Sequence, residues 1–519
     1  MIQFEGVSFS YPGSDRLVLA DVNLEFNSGE LALVIGPTGA GKSTLLKAVA
    51  GLVPHFTGGT LHGSIRVDGR RTQTHPPRRL ADLVGYVGQD PAAGFVADRV
   101  EDELAYAMEQ QGIPVTTMRA RVEEVLDLLG IAPLRDRDPL SLSAGEAQRV
   151  AIGASLTAHP KILVLDEPTS ALDPAAAEEV MAAISRLVDD LDLTVLMAEH
   201  RLERVIQFAD RIVRVDGDGS VSAGTPRTQL ATSPVAPPLV RLARALAWTP
   251  LPLTVREGRR AARACAPPPT DQVSDAVSPP APNRPVLAAP SRPVLLEAKG
   301  VSVTHPGPVQ ALNGVSLQLR GGQITGLMGR NGAGKTSLLW ALAEDRKLTP
   351  PGTLVLVPAQ PTDLFYANSV AHELPNSKAA ALLDRIAPGI ARGAHPRDLS
   401  EGQRLALALA IQLTADTQVV ALDEPTRGLD YSAKDRLAQI LRELADQGKA
   451  VLVATHDVEF LALAADSIIW LAEGQIVGEG PAAEFLLSVP AHAPQIAKVM
   501  APREYLTVEA ALVGIGGER

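Results

Sequence analysis

Two stretches of this chain carry residue types at a spacing suited to phosphate chemistry. Gly36-Pro37-Thr38-Gly39-Ala40-Gly41-Lys42-Ser43 and Gly329-Arg330-Asn331-Gly332-Ala333-Gly334-Lys335-Thr336 both follow G-x-x-x-x-G-K-[ST]. Glycines at these positions let successive backbone N–H groups curl around an anion, and the helix that follows adds its partial positive charge. Lys42 and Lys335 can reach outer phosphates, Ser43 and Thr336 offer a hydroxyl to magnesium, and Thr44 and Ser337 come next in the same cradle. Two carboxylate pairs, Asp166-Glu167 and Asp423-Glu424, each end an apolar run. Adjacent carboxylates there are costly unless a cation or a positioned water uses them. The default ligand is a nucleoside triphosphate, with magnesium beside it.

The elements that must position these groups are legible around them. Leu31–Ile35 and Ile324–Met328 read as buried strands feeding the glycine loops, and Thr44–Ala50 as a helix leaving the first. Leu83–Gly88 and Leu354–Ala359 are strands that end on Gln89 and Gln360, at the carboxyl edge where open α/β sheets bind ligands. Lys161–Leu165 and Val419–Leu422 deliver the carboxylate pairs, and Leu193–Ala198 and Val451–Ala454 lead to Glu199-His200 and Thr455-His456. Residues 101–135 are helical in pattern, with an apolar stripe of Val122, Val125, Leu126, Leu128 and Leu129. Ser143, in Leu142-Ser143-Ala144-Gly145-Glu146, reads as a helix N-cap with Glu146 at the capping-box position; Leu399-Ser400-Glu401-Gly402-Gln403 repeats that segment. Ahead of each glycine loop an alternating strand carries Tyr11 or His305, and a flat ring there suits stacking on a purine or filling the core. The order of these features is the same in both halves, which is a duplicated α/β domain. One difference stands out: the span from Lys335 to Gln360 is far shorter than that from Lys42 to Gln89, so the second copy lacks most of the hairpin region around Gly63–Gly69.

A length of 519 residues accommodates the two copies, and 46% apolar residues suffices for their cores. The expected division is a first domain over 1–232, an extension of it over 233–265, a linker over 266–293, a shortened second domain over 294–485 and a terminal extension over 486–519. The linker is proline-rich and reads as an extended tether. The two extensions echo each other in Leu253-Thr254-Val255 and Leu506-Thr507-Val508. A formal net charge of −11 argues against nonspecific nucleic-acid binding, and a single cysteine, Cys265, excludes a disulfide framework and a cysteine metal site. No signal-peptide pattern and no membrane-length apolar run occur, so a cytoplasmic chain is expected, with any membrane link made through partners.

Taken in order, these segments resemble the ATP-binding cassette ATPases over nearly the whole chain outside the linker: Walker A, glutamine loop, signature, Walker B with its glutamate, D-loop (Ser170–Asp173, Arg427–Asp430) and switch histidine. Ala144 and Glu146 in the first signature, and Glu401 in the second, depart from the usual form. The resemblance implies two tandem P-loop NTPase domains, each with a RecA-like α/β core, an antiparallel β subdomain and a helical signature subdomain. It implies that Glu167 and Glu424 polarise the attacking water, that His200 and His456 contact the γ-phosphate, and that Ser43, Gln89 and Asp166, or Thr336, Gln360 and Asp423, serve magnesium. It further implies that the cassettes pair within the chain, one nucleotide lying between the Lys42 loop and Ser400 and Gly402, the other between the Lys335 loop and Ser143 and Gly145, with Tyr11 and His305 toward adenine. The stretches after the glutamines, with Phe95 and Phe365, resemble the cobalt and energy-coupling-factor group. That resemblance implies a peripheral subunit at the cytoplasmic face of the membrane, working with a transmembrane coupling subunit and a small substrate-binding membrane subunit to import a vitamin or metal ion. The alternative is a soluble tandem cassette protein acting on ribosomes or another non-membrane partner; the proline-rich linker and acidic charge depart from the ribosome-acting kind.

Overall fold

The computed structural model describes residues 1–13, 16–170, 172–264, 292–305 and 310–517. Cys265, D-loop residue Ala171 and nearly all of the linker lie outside them. The chain divides into two units, Met1–Val235 and Ala236–Arg519.

The first unit contains β1 (Ile2–Ser10), β2 (Leu19–Phe26), β3 (Leu31–Ile35), β4 (Thr60–Val67), β5 (Arg70–Arg71), β6 (Val84–Val87), β7 (Ile162–Asp166), β8 (Thr194–Ala198), β9 (Arg211–Val215) and β10 (Val221–Gly224). The core sheet has the order β10-β9-β3-β8-β7-β6; its strands run parallel except for β10 at the edge. Every residue of β3, β7 and β8 is buried, the expected fate of uninterrupted Val/Ile/Leu runs in a parallel sheet covered on both faces. The register pairs Val34 with Ala198 and Asp166 with Ala198, so the glycine loop, the carboxylate pair and the histidine leave the sheet at one edge. A separate antiparallel sheet, β2-β1-β4-β5, covers the P-loop helix Lys42–Val49. The helical stretch forms two helices, Val100–Gln110 and Val115–Leu128, packed on the signature helix Ala144–Leu156. They close tightly at Gly153, where a Cβ would come within 2.9 Å of Leu104 and 3.0 Å of Val125.

The second unit contains β11 (Val294–Thr304), β12 (Gln310–Arg320), β13 (Gln323–Met328), β14 (Leu354–Val357), β15 (Val419–Asp423), β16 (Ala450–Ala454), β17 (Ser467–Ala472) and β18 (Gln475–Pro481). Its core sheet, β14-β15-β16-β13-β17-β18, repeats the first, while among the described residues the antiparallel sheet holds only β11 and β12. The two missing strands are the counterparts of β4 and β5, in the region the shorter sequence span omits.

The extension behind the first cassette joins this second unit from Ala236 on. Its helices Pro238–Ala245 and Val255–Ala264 pack with Gln495–Met500 and Val508–Gly517, burying Leu239, Leu242 and Trp248 against Ile496, Val499 and Met500. Short amphipathic helices of this kind cannot bury their apolar faces alone, and the repeated tails cover one another. Gln495 Oε1 accepts from the Leu239 N–H at 2.9 Å, and a Cβ on Gly258 would meet Leu239 at 2.7 Å, so the contact is close.

Candidate active site

Each glycine loop is held in the form its sequence suggests. Gly41 caps the helix Lys42–Val49 with φ of +110°, and a Cβ there would meet Val18 at 2.7 Å; Gly334 does the same for Lys335–Glu344, with φ of +101° and Ala311 O at 2.4 Å from a notional Cβ. Only glycine combines that backbone with that clearance. The lysines lie along their own loops: Lys42 Nζ donates to Gly36 O (3.0 Å) and Pro37 O (3.1 Å), and Lys335 Nζ to Gly329 O (2.8 Å) and Arg330 O (3.2 Å). Both ammonium groups therefore sit over the concave face of the loop, where phosphate oxygens would be met.

The hydroxyl after each lysine points at the carboxylate of the neighbouring strand. Ser43 Oγ donates to Asp166 Oδ1 at 3.1 Å and Thr336 Oγ1 to Asp423 Oδ2 at 2.7 Å. Burial and the adjacent Glu167 raise the Asp166 carboxyl to about 6; burial, then Glu424, raises Asp423 to about 6. A buried carboxylate so disfavoured, facing a hydroxyl and a second carboxylate, is the donor set a hard divalent cation takes, and its positive charge would relieve both penalties. The residues present fit magnesium.

Glu167 and Glu424 adopt φ of +55° and +46°, a left-handed conformation that costs a glutamate about 1–3 kcal/mol and is kept where the surroundings overdetermine it. Here those surroundings are the next strand: Glu167 N–H donates to Ala198 O (3.0 Å) and Glu424 N–H to Ala454 O (2.8 Å). His200 Nε2 lies 3.0 Å from Glu167 Oε1, and His456 Nδ1 lies 2.9 Å from Glu424 Oε1. Burial alone would raise the Glu167 carboxyl, but the neighbouring His200, and then Lys42, hold it down to about 2. It stays an anion able to orient water. In the second unit Thr455 Oγ1 supplies an additional bond to Glu424 Oε2 at 2.9 Å.

The remaining expected residues fall into two groups. Tyr11 and His305 reach the residue after the P-loop hydroxyl: Tyr11 OH shares a 2.9 Å hydrogen bond with Thr44 Oγ1, and His305 Nε2 one of 2.9 Å with Ser337 Oγ. The Tyr11 ring also packs edge-on against Phe9, with centroids 4.9 Å apart. Gln89 is half-buried just beyond β6, beside the strand that carries Glu167, whereas Gln360 is exposed at the start of the turn Pro361–Leu364. Ser143 and Ser400 are exposed N-caps with complete capping boxes to Glu146 and Gln403, and Gly145 and Gly402 lie in the first turn of the same helices. The D-loop aspartates Asp173 and Asp430 cap the next helices, accepting from Ala176 N–H (3.0 Å) and Ala433 N–H (2.8 Å).

Sequence reasoning passed over the residue before each histidine. Glu199 is buried, its oxygens accepting from Thr169 N–H (2.7 Å) and His200 N–H (3.2 Å), and burial pushes its carboxyl up to about 7. Thr455 occupies the equivalent place and touches the carboxylate itself. The available signal was that these positions differ between otherwise matching copies.

The profile described as "ABC transporter" matches residues 19–170 and 312–356, and one described as "AAA domain, putative AbiEii toxin, Type IV TA system" matches 344–462. A Streptomyces avermitilis protein named "Putative ABC transporter ATP-binding protein" is 51% identical over 98% of this chain and 99% of its own length. A protein of the same description from Methanosarcina mazei is 32% identical over 94% of this chain and 90% of its own. Among solved structures, cbiO1 from Clostridium perfringens, described as part of the ABC transporter complex cbiONQ, is 28% identical with a TM-score of 0.41, covering 44% of this chain and 90% of that one. Full-length identity to the Streptomyces relative, and a pair of P-loop, glutamate and histidine arrangements built alike in both units, make the chain a member of the ABC transporter ATPase family with two ATP-binding cassettes in tandem.

Proposed function

We propose that the protein is the ATP-hydrolysing energy-coupling subunit of an importer of the energy-coupling-factor type, driving uptake of a vitamin or metal ion through separate membrane subunits. The observation that carries this reading lies beside Gln89, just beyond β6, the strand that pairs with the one delivering Asp166 and Glu167. The residues next in sequence wall a cavity of about 280 Å³, lined by Tyr86, Pro91, Phe95, Tyr106, Ala151 and Ser155. A short apolar helix from a membrane subunit fits such a groove, and Tyr86, which lines it, lies on the strand paired with the one that delivers the catalytic carboxylate. Phe95 and Phe365 are half-buried, while the residue after each stands out: Val96 is 60% exposed and Tyr366 89%. Buried Glu103 fixes that loop by accepting from the N–H groups of Val96 (2.8 Å) and Ala97 (2.9 Å), and Glu373 holds Ala367 N–H at 2.5 Å. Among the described residues no helix is long and apolar enough to cross a membrane.

ATP would act as the closing ligand. A P-loop cradles a triphosphate from one side, and an exposed signature helix N-terminus from the other cassette can complete it. Support comes from Ser143 and Ser400, which present such termini on each unit. The lysine and loop N–H groups then hold the phosphates, the glutamate orients water and the histidine steadies the glutamate; bound magnesium supplies charge neutralisation, with Ser43 and Asp166, or Thr336 and Asp423, as its holders. ATP favours the closed pair, and hydrolysis removes that preference.

Capture of the tagged full chain from detergent-solubilised membranes tests the reading. Recovery of a multi-span membrane protein that raises ATP turnover supports it, and Tyr366→Asp or Val96→Asp then lowers the recovery. Recovery of ribosomes in its place overturns it.

A further inference from the structure

The two signatures differ in charge, and the difference is matched elsewhere in the chain. Where the first has Ala144 the second has Glu401, and where the first D-loop has Ser170 the second has Arg427. In the second unit these residues form an ion pair, with side chains only 14% and 16% exposed. The neighbouring Gly428, at φ of +68°, lies so close that a Cβ on it would be 2.8 Å from Gly402 N. The loop that begins at Glu424 is thus packed against the turn that presents Ser400. In the first unit a Cβ on Gly145 would instead meet Ala176 at 3.1 Å, an apolar contact.

We propose that Arg427 is a positioning residue for ATP: it neutralises and holds aside the Glu401 carboxylate, so that the Ser400–Gly402 turn can accept the triphosphate held at the Lys42 loop. This rests on the reading that each signature completes the other cassette's pocket. Glu401 is the first residue of its helix, where a carboxylate favours the helix but opposes an incoming phosphate. The cation comes from the loop three residues beyond Glu424, so the signature's charge state is tied to the second unit's own catalytic loop. The first unit, with alanine and serine, has no such tie.

The test uses the full chain carrying Glu424→Gln, which leaves turnover to Glu167. Arg427→Ser raises KM for ATP about tenfold, the size of one unit charge at roughly 10 Å in an effective dielectric of about 20, with kcat changed less than about twofold. Raising NaCl to about 0.5 M shrinks the rise through screening. Adding Glu401→Ala, which recreates the first unit's pair, returns KM to within about twofold of the parent. A pair that merely props the fold gives a double variant no better than the single one, and that result overturns the proposal, as does an unchanged KM in Arg427→Ser. Should Arg427→Ser fail to fold, Glu401→Ala alone carries the test: KM stays within about twofold, and a tenfold rise refutes the proposal. Ser400→Ala separates the two levels. If it raises KM while Arg427→Ser does not, this inference fails and the shared-pocket reading stands; if it too leaves KM unchanged, that reading fails first.

Discussion

Thr455→Val tests whether the orientation of Glu424 limits turnover. Thr455 is buried, and its hydroxyl donates to Glu424 Oε2 at 2.9 Å. Valine keeps the shape and removes a side-chain bond that helps to fix the carboxylate, while His456 at 2.9 Å remains. A hydrogen bond to a charged group contributes about 1.5–3 kcal/mol. With His456 still in place the loss falls at the low end, and about 1.4 kcal/mol corresponds to about tenfold in rate. In a chain carrying Glu167→Gln, so that turnover reports on Glu424, kcat falls about tenfold while KM for ATP stays within about twofold. The same hydroxyl accepts from Asp457 N–H at 3.1 Å, so melting temperature drops slightly as well. Thr455→Ser separates the effects: it keeps the hydroxyl and restores kcat. The reasoning is refuted if Thr455→Val turns over at the parental rate, or if Thr455→Ser is as slow as the valine variant.

Glu167→Gln and Glu424→Gln, made separately, each lower steady-state ATP turnover, because both carboxylates keep a histidine within 3.0 Å; a rate untouched by one of them contradicts two competent sites. Lys434→Met takes the cation from Asp457, which Lys434 Nζ meets at 2.7 Å and which is 2% exposed, and destabilises the second unit by about 3–5 kcal/mol in urea unfolding. A change under about 1 kcal/mol shows that the pair is dispensable. Glu199 is raised by burial from 4.5 to about 7, so the folded chain keeps a proton that the unfolded chain releases. That stabilisation is full below pH 4.5 and is lost as pH rises through about 7, amounting to about 3 kcal/mol. Unfolding titrations of Glu199→Gln lose this decline between pH 5 and 8; curves parallel to those of the parent contradict it.

The P-loops, carboxylate pairs and histidines were legible because their chemistry demands particular residues at short sequence separation, next to strands whose unbroken apolar runs announce burial on both faces. The shortened second copy was legible for the same local reason: β4 and β5 have no counterpart between Lys335 and Gln360. What the sequence by itself determined was therefore the set of nucleotide-handling groups and the repetition of the domain that holds them. Only the tertiary structure decided which neighbours complete those groups. Thr455 rather than Glu199 touches the glutamate, Val96 and Tyr366 rather than the phenylalanines stand exposed, Arg427 finds Glu401, and the tail behind the first cassette folds onto the tail of the second. Each of these depends on where separate strands and helices converge, and hydrogen bonds and ion pairs act over about 3 Å in space, whatever the distance along the chain.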